Sequence, residues 1–181
     1  MVSHSPNNGA RNLNALLEAA LASNDPLEVE LHARSIALDP APDDRRQSAL
    51  LEILKARPTT NNVVSTCLFH LRAFGPEPLR KGIHRVLGEP DGADSEPAKI
   101  SALVRLVALE EHNSADALLI GTYAFHSQPT LRAATIRGLR GLDFSQKQRL
   151  LEANSTHVLS GHKNGKALEL LIRSLLVDGA L

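Results

Sequence analysis

Residues 118–142, LLIGTYAFHSQPTLRAATIRGLRGL, predict the fold of the chain: two helices that meet at a Gln-Pro corner. Pro129 suits the first turn of a helix, where its missing N–H costs nothing, and it disfavours helical geometry at Gln128. Apolar and small residues recur at three- and four-residue spacing on both sides of this corner, which is the pattern of one helix face. These positions are Ala115, Leu118, Leu119, Thr122 and Tyr123 before the corner, and Leu131, Thr135, Gly138, Leu139 and Leu142 after it. The stretch therefore predicts a closely packed antiparallel helical hairpin.

Other helix boundaries can be predicted along the whole chain. Asn12 has the side chain of an N-cap for the first helix, and Pro26 opens a second helix over 26–38. In that second helix the predicted core-facing residues are Leu27, Leu31 and Leu38. Acids at Asp43 and Asp44 favour the start of a third helix because they complement the positive end of its dipole.

The remaining boundaries follow from glycine, proline and capping residues. Gly75-Pro76 ends a fourth helix, and a fifth helix stops at Gly88. The acidic stretch GEPDGADSEP follows, and residues 88–96 are the predicted position of a hinge. A sixth helix is predicted over 100–109, a ninth after an N-cap at Ser145, and a tenth after Gly165. No alternating strand pattern occurs, so the sequence predicts an all-α fold of about ten short helices.

Composition limits the classes of protein to which the chain can belong. The chain has 181 residues, 43% of them hydrophobic, and we expect one helical domain over 12–181. Twenty Lys and Arg balance twenty Asp and Glu, so no net field attracts nucleic acid or an anionic membrane. The lone cysteine, Cys67, excludes an intrachain disulfide and is typical of a reducing compartment. Because no apolar run approaches about 18 residues, we predict a cytoplasmic protein without membrane insertion.

The N-terminal residues 1–11 contain no acid and are rich in Ser and Asn, which predicts a disordered tail. This leader, MVSHSPNNGAR, lacks the apolar segment of a signal peptide. In composition it resembles the uncleaved N-terminal signals of proteins that bacterial type III secretion exports. The resemblance implies an alternative localisation: a bacterial secreted or secretion-associated protein exported by a route that needs no signal peptide.

Four segments repeat a leading base followed by small and apolar residues. They are RQSALLEIL from Arg46, RKGIHRVL from Arg80, KISALVRL from Lys99 and RAATIRGL from Arg132. Positions 46 and 80 lie 34 residues apart and positions 99 and 132 lie 33 apart, which is the period of a stacked helix pair, whereas 80 and 99 are separated by 19. The pattern resembles HEAT-type helical repeats. It implies an irregular right-handed stack of helical hairpins, and a compact multi-helix bundle is the alternative.

Three residue pairs have spacings that nucleophilic or metal chemistry can use. These pairs are Cys67 with His70, Glu28 with His32, and His157 with His162. Cys67 lies in an apolar stripe, where a buried thiol is unreactive, and neither of the other pairs has a third partner in the sequence. Nucleotide-binding, nucleophile-elbow and zinc-cysteine motifs are also missing. We therefore predict no enzymatic activity, no cofactor and no metal site.

Charge is distributed unevenly along the chain. From residue 127 onward there are eight Lys and Arg against four Asp and Glu. The candidate partner-binding residues are Arg132, Arg137, Arg140, Lys147 and Arg149. We expect a non-catalytic interaction or scaffold module that binds an acidic surface or peptide of another protein, through a helical groove or through this basic C-terminal half.

The alternative function is that of a HEAT-like nucleic-acid-binding protein. Alkylpurine DNA glycosylases with HEAT-like repeats use a concave basic surface on DNA, and the resemblance implies such a surface here. The chain lacks Trp, and only 3% of its residues are aromatic, so it has few side chains on which exposed bases could stack. Protein binding is therefore the preferred hypothesis.

Overall fold

The computed structural model describes residues 7–57, 60–89 and 95–178, with side chains from residue 12 to residue 177. Within these ranges the chain forms ten helices and no strand, which confirms the all-α prediction. The helices are α1 Asn7–Ala22, α2 Pro26–Leu38, α3 Asp43–Ala56, α4 Asn61–Ala73, α5 Pro76–Leu87, α6 Glu96–Val107, α7 Ser114–Ala124, α8 Pro129–Gly141, α9 Phe144–Leu159 and α10 Lys163–Asp178. In the described part of the chain, no helix is long and apolar enough to cross a membrane.

Proline fixes the start of three helices, two of which, at Pro26 and Pro129, are predicted from the sequence. Pro26, Pro76 and Pro129 each occupy the first turn of their helix. Before Pro26, the Asp25 side chain accepts a hydrogen bond from the Leu27 N–H at 2.9 Å. Before Pro76, Gly75 has a φ of 112°, a backbone conformation that residues with a side chain rarely adopt.

The first helix starts earlier than predicted. α1 begins at Asn7, so residues 7–11 are helical and the prediction of a tail over 1–11 is wrong for them. Asn12 does not cap α1, because it lies inside the helix. Its side chain instead donates a hydrogen bond to Asp39 Oδ2 at 2.8 Å. Residues 1–6, and with them the rest of the predicted tail and export signal, lie outside the described residues. Both localisations stay predictions.

Three later helices also start before their predicted boundaries. The N-cap of α9 is Asp143, and the prediction of Ser145 is wrong. Asp143 Oδ1 accepts from the Gln146 N–H at 2.7 Å, and Gln146 Oε1 accepts from the Asp143 N–H at 3.0 Å, a reciprocal capping box. α6 begins at Glu96 and ends at Val107, which differs from the predicted range of 100–109.

Gly165 lies in the first turn of α10 and not before the helix. A Cβ atom at this position would lie 2.6 Å from the Cβ of His157 on α9. Glycine is thus needed for the close approach of α9 and α10, and its position in the sequence does not mark a helix end.

The chain packs as two compact units, Met1–Ala102 and Leu103–Leu181. In the first unit, consecutive helices from α1 to α5 pack together, and alternate helices also contact each other: α1 with α3, α3 with α5, and α2 with α4. Two layers result, around a core whose side chains are fully buried. Its largest apolar members are Ile36, Leu50, Ile53, Leu54, Leu68, Leu71 and Ile83.

The second unit is built around α7, which contacts α8, α9 and α10. α9 and α10 also pack against each other. The fully buried apolar side chains of this unit include Leu103, Leu106, Ile120, Leu131, Leu139, Leu150, Leu168 and Ile172. The predicted single domain over 12–181 and the predicted hinge at 88–96 stay predictions; residues 90–94 of that hinge lie outside the described residues.

The buried face of α2 differs from the prediction. Leu27, Leu31 and Leu38 are 62%, 53% and 79% exposed. The core-facing residues are Val29, Ala33, Ile36 and Ala37. α2 packs against α1, α3 and α4, and small side chains allow these close approaches while leucines occupy the outer face.

The hairpin formed by α7 and α8 is confirmed, and only one of its faces is predicted correctly. In α8, Leu131, Thr135 and Leu139 are buried, as is Leu142 directly after it. In α7 only Tyr123 of the predicted stripe is buried, whereas Ala115 is exposed and Leu118, Leu119 and Thr122 are half-buried. The other buried residues of α7 are Asp116, Ala117, Ile120, Gly121 and Ala124. Because α7 contacts three helices, apolar residues are distributed around it and its periodicity does not identify a single face.

Candidate functional site

A cavity of about 380 Å³ lies on the solvent-facing side of α8. We call it the α8 arginine cavity, lined by Pro129, Arg132, Ala133, Ile136, Arg137 and Arg140. Successive helical residues are rotated by about 100°, which places all six within an arc of roughly 140°. The buried residues Leu131, Thr135 and Leu139 lie on the other side of the helix. The same periodicity that anchors α8 in the core therefore collects the arginines on its outer face.

The positive charge of this cavity is not neutralised by neighbouring side chains. Arg137 and Arg140 are exposed, and Arg132 is half-buried. Within the described ranges, no carboxylate forms an ion pair with any of the three. The first turn of α8 also contains no acid, although an acid is favourable at a helix N-terminus. Three guanidinium groups are thus available to an anionic ligand.

Arg132 is held in place by the corner that precedes α8. Its Nη1 donates to the carbonyl oxygen of His126 at 2.8 Å. The Gln128 N–H donates to His126 Nδ1 at 3.2 Å, and the His126 ring stacks on Tyr123 with 5.1 Å between the ring centroids. The corner therefore limits the positions that the Arg132 guanidinium can take.

The other two predicted binding residues lie outside this cavity. Lys147 on α9 is only 9% exposed, whereas Arg149 is exposed and donates to Ser145 Oγ at 3.1 Å. Residues two apart on a helix are separated by about 200°, so these side chains leave α9 in nearly opposite directions. The structure brings Arg132, Arg137 and Arg140 together around one cavity, and a binding role for all five residues stays a prediction.

The apolar part of the site was not predicted from the sequence. Pro129, Ala133 and Ile136 line the cavity between the arginines. The signal is present in the sequence, since Arg132, Ile136 and Arg140 follow one another at i, i+4 and i+8 on a single helix face. A half-buried isoleucine between arginines offers apolar contact area beside the charges, a combination found at interfaces.

Cys67 is a core residue with an unreactive thiol. It is completely buried, and burial raises the pKa of its thiol to about 12. No hydrogen bond joins it to His70 in the described part of the chain. Burial, and then the positive charge of Arg34, lower the pKa of His70. Cys67 and His70 are therefore packed side chains and do not have the geometry of a nucleophile and its base.

One serine-histidine pair was not predicted from the sequence. Ser114 Oγ lies 2.9 Å from His157 Nε2, which is the distance of a nucleophile from its base. The same Nε2 lies 2.7 Å from the Ser114 carbonyl oxygen, which can only accept a hydrogen bond. Nε2 therefore carries a proton and cannot take one from Ser114. The contact fastens α9 to the start of α7.

The remaining candidate pairs do not form a metal site. Glu28 Oε2 accepts a hydrogen bond from Ser23 Oγ at 2.7 Å, and the His157 and His162 rings meet edge to face with centroids 6.0 Å apart. Across the described ranges, no group of three His, Cys, Asp or Glu residues is arranged to hold a metal ion.

Comparisons of this chain with protein families, with curated proteins and with solved structures found no match. Function is therefore argued from the site itself. The lining of the α8 arginine cavity contains guanidinium groups, which bind oxyanions through paired N–H donors. Its six described lining residues include no nucleophile, no general base and no carboxylate. This set of groups suits binding of an anion.

Proposed function

We propose that this protein is a non-catalytic interaction module that binds an acidic surface or peptide of a partner protein through the α8 arginine cavity. The observation that carries the proposal is the convergence of Arg132, Arg137 and Arg140 on one cavity without an ion pair to any described carboxylate. An acidic partner supplies the missing countercharge. Recognition of acidic motifs by arginine clusters is a recurring mode of peptide binding.

The apolar lining favours a protein partner over a nucleic acid. Ile136 and Ala133 offer contact area between the charges, and arginine combined with apolar side chains is typical of protein interfaces. A nucleic-acid duplex presents a line of phosphates, and its binding is dominated by several basic contacts. Only three basic side chains line this cavity.

Alternate-helix packing in the first unit supports the scaffold part of the proposal. Contacts of α1 with α3, of α3 with α5 and of α2 with α4 are those expected of stacked helical hairpins. On this basis we propose an irregular HEAT-like right-handed stack, to which a compact bundle is the alternative. Stacked hairpins present long surfaces without chemistry of their own, as expected of a scaffold.

The test is binding of fluorescently labelled peptides that contain Glu and Leu, measured by anisotropy. The double variant Arg137→Glu/Arg140→Glu places two acids in the cavity, and we expect it to bind at least about tenfold more weakly than the native protein, a loss of about 1.4 kcal/mol or more. Arg72→Glu is the matched control, since it makes the same type of charge change at an exposed position of α4, outside the cavity. We expect less than about a twofold effect from it. Circular dichroism checks that both variants keep their helices.

Two results would overturn this function. If Arg72→Glu weakens binding as much as Arg137→Glu or Arg140→Glu made alone, acidic peptides bind through general charge and not through the cavity. If duplex DNA binds through the same arginines, with a linear dependence of log affinity on log salt, while the peptides do not bind, the surface is a nucleic-acid interface.

A further inference from the structure

The outer face of α2 carries a cluster of exposed leucines. Leu27, Leu31 and Leu38 are 62%, 53% and 79% exposed. Five large apolar side chains are exposed in the described part of the first unit, and these are three of them. Exposed apolar side chains that gather on one surface indicate a site of contact with another molecule. We call Leu27, Leu31, Arg34 and Leu38 the α2 outer seam.

The four residues of the seam form one continuous line along the helix. Because successive helical residues are rotated by about 100°, the four lie within an arc of about 60° around the axis of α2. They are separated by four, three and four residues, which is the spacing of the core positions in a coiled coil. From Leu27 to Leu38 the line extends about 17 Å along the axis, or about three turns. The seam therefore has the pattern against which a second helix packs.

The spacing also makes the seam complementary to itself. Four, three and four reads the same in both directions, so two antiparallel copies of α2 place every seam residue opposite a seam residue. Leu27 then lies opposite Leu38 of the other copy, and Leu31 lies opposite Arg34 of the other copy. Such a pair has two-fold symmetry, the commonest symmetry of protein dimers.

Charge favours the antiparallel arrangement over a parallel one. In a parallel pair each Arg34 would lie opposite the same arginine of the other copy, and like charges in contact repel. In an antiparallel pair it lies opposite Leu31, one residue from Glu30 of the other copy. Within its own helix, Arg34 forms an ion pair with Glu30 at 2.5 Å, and the Glu30 side chain is only 12% exposed. The arginine therefore keeps a countercharge when the seam is covered, as a buried charge requires.

A neighbouring helix adds a further apolar side chain beside the seam. α4 packs against α2, and the Thr66 hydroxyl on α4 donates to Glu30 Oε1 at 3.3 Å. Phe69 on α4 is 66% exposed. The next residue, His70, lies close enough to Arg34 that this charge, after burial, lowers the pKa of the imidazole. Phe69 is thus placed on α4 near the level of Arg34, and it widens the apolar surface.

We propose that a second copy of this chain covers the α2 outer seam, in a two-fold symmetric dimer whose α2 helices run antiparallel. A face about 17 Å long and about 10 Å wide is smaller than the roughly 800 Å² per partner of a standard interface, so the association is weak. Single chains predominate at about 1 µM, where unfolding measurements report on the monomer, and dimers form toward about 1 mM. This dimer goes beyond the proposed function and does not depend on it.

Sedimentation velocity of the full chain, between about 1 and about 500 µM, measures the association. The variant Leu31→Arg places a positive charge opposite Arg34 of the other copy, and we expect it to weaken dimerisation at least about tenfold. Leu170→Arg is the matched control, because Leu170 is 70% exposed on α10, in the other unit. We expect less than about a twofold effect from the control. Circular dichroism checks that both variants keep their helices.

Introduced cysteines test the direction of the two helices. Cys67 is buried and its thiol has a pKa of about 12, so a cysteine added on the surface is the reactive thiol. In the antiparallel pair, positions 27 and 38 of different copies face each other. The two copies of position 27 are about 17 Å apart, beyond the Cα separation of about 7 Å that a disulfide can bridge.

The variants Leu27→Cys and Leu38→Cys are therefore mixed in equal amounts and oxidised mildly. We expect the disulfide between the two different variants to form in at least about tenfold excess over either disulfide between identical chains. Mass spectrometry of proteolytic fragments distinguishes the products, because Arg34 provides a tryptic cleavage site between positions 27 and 38.

Three results would overturn this inference. A native protein that stays monomeric over the whole concentration range assigns the seam to a different occupant. Dimerisation that Leu31→Arg leaves unchanged, or that Leu170→Arg weakens equally, places the contact elsewhere or makes it a non-specific apolar association. A predominance of disulfides between identical chains contradicts the antiparallel pairing.

Discussion

Cys67 shows how burial changes the chemistry of a residue that sequence spacing makes a candidate nucleophile. It lies three residues before His70, on the same side of α4, as a nucleophile and base would. The structure surrounds it with the core of the first unit, and its thiol has a pKa of about 12. Sequence alone predicts the apolar stripe, and the raised pKa follows from the burial of that stripe.

The unreactive thiol leads to a direct prediction. In the folded protein at pH 8, Cys67 should react with Ellman's reagent at least about a thousandfold more slowly than in urea, because its pKa lies more than three units above the free-cysteine value of about 8.5. The measurement is the absorbance change under both conditions. Rapid reaction of the folded protein would show that Cys67 is accessible.

His70 provides a prediction about pH. Its pKa is lowered by burial first and by Arg34 second, so Arg34→Gln should raise the pKa while leaving it below 6.5, and NMR titration of the ring protons measures this. Because the folded pKa lies below the unfolded one, the contribution of neutral His70 to stability is present above about pH 6.5 and is lost as the pH falls through the folded pKa. A pKa that does not change in Arg34→Gln would remove Arg34 as a cause.

At the scale of elements, the sequence predicts helix positions better than helix faces. Proline at the first turn has a local steric cause, so Pro26, Pro76 and Pro129 mark true starts. Which face is buried depends on which helices pack against it, and that is a tertiary property. The predicted faces of α2 and α7 are the ones that the structure corrects.

Truncating a side chain should cost much more stability on the buried face of α2 than on its outer face. Ile36→Ala removes a fully buried side chain and should lower the free energy of unfolding by about 2–5 kcal/mol. Leu31→Ala, at a position 53% exposed, should change it by less than about 1 kcal/mol. Urea unfolding of the two variants measures both values. A larger loss in Leu31→Ala would show that the outer face of α2 is covered in solution.

The start of α9 can be located by a second pair of variants. Asp143→Ala removes one half of the capping box and should cost about 1 kcal/mol. Ser145→Ala removes only the exposed contact with Arg149 and should cost a few tenths of a kcal/mol, roughly the value of a surface interaction. The free energies of unfolding, measured at the same pH and salt, distinguish the two. A larger loss of stability in Ser145→Ala than in Asp143→Ala would show that Ser145 is the N-cap.

At the scale of the whole molecule, the uneven distribution of charge along the chain locates a basic surface less well than the residue count suggests. Residues 127–181 carry eight bases against four acids, yet the compact unit from 103 to 181 carries nine against seven. The counted excess therefore depends on where the count begins. Sequence identifies the three arginines of α8 because they share a face, and it fails at Lys147 and Arg149 because their helix turns them apart.

The number of cavity arginines limits any affinity for nucleic acid. Three phosphate contacts give a slope of about −2.7 in a plot of log affinity against log salt, so binding to duplex DNA should fall about 40-fold between about 50 and about 200 mM salt. Gel-shift titrations over that range measure the slope. A slope steeper than about −4 requires a wider basic surface than the α8 arginine cavity.

Tyr123 gives this molecule an intrinsic optical probe. The chain has one tyrosine and no tryptophan, so ultraviolet emission excited near the tyrosine band comes essentially from a single residue. That residue stacks on His126, whose carbonyl oxygen holds Arg132 at the edge of the cavity. A ligand that moves the Arg132 guanidinium therefore changes the surroundings of the only strong emitter. Occupancy of the site can be followed without a label, in the unmodified protein.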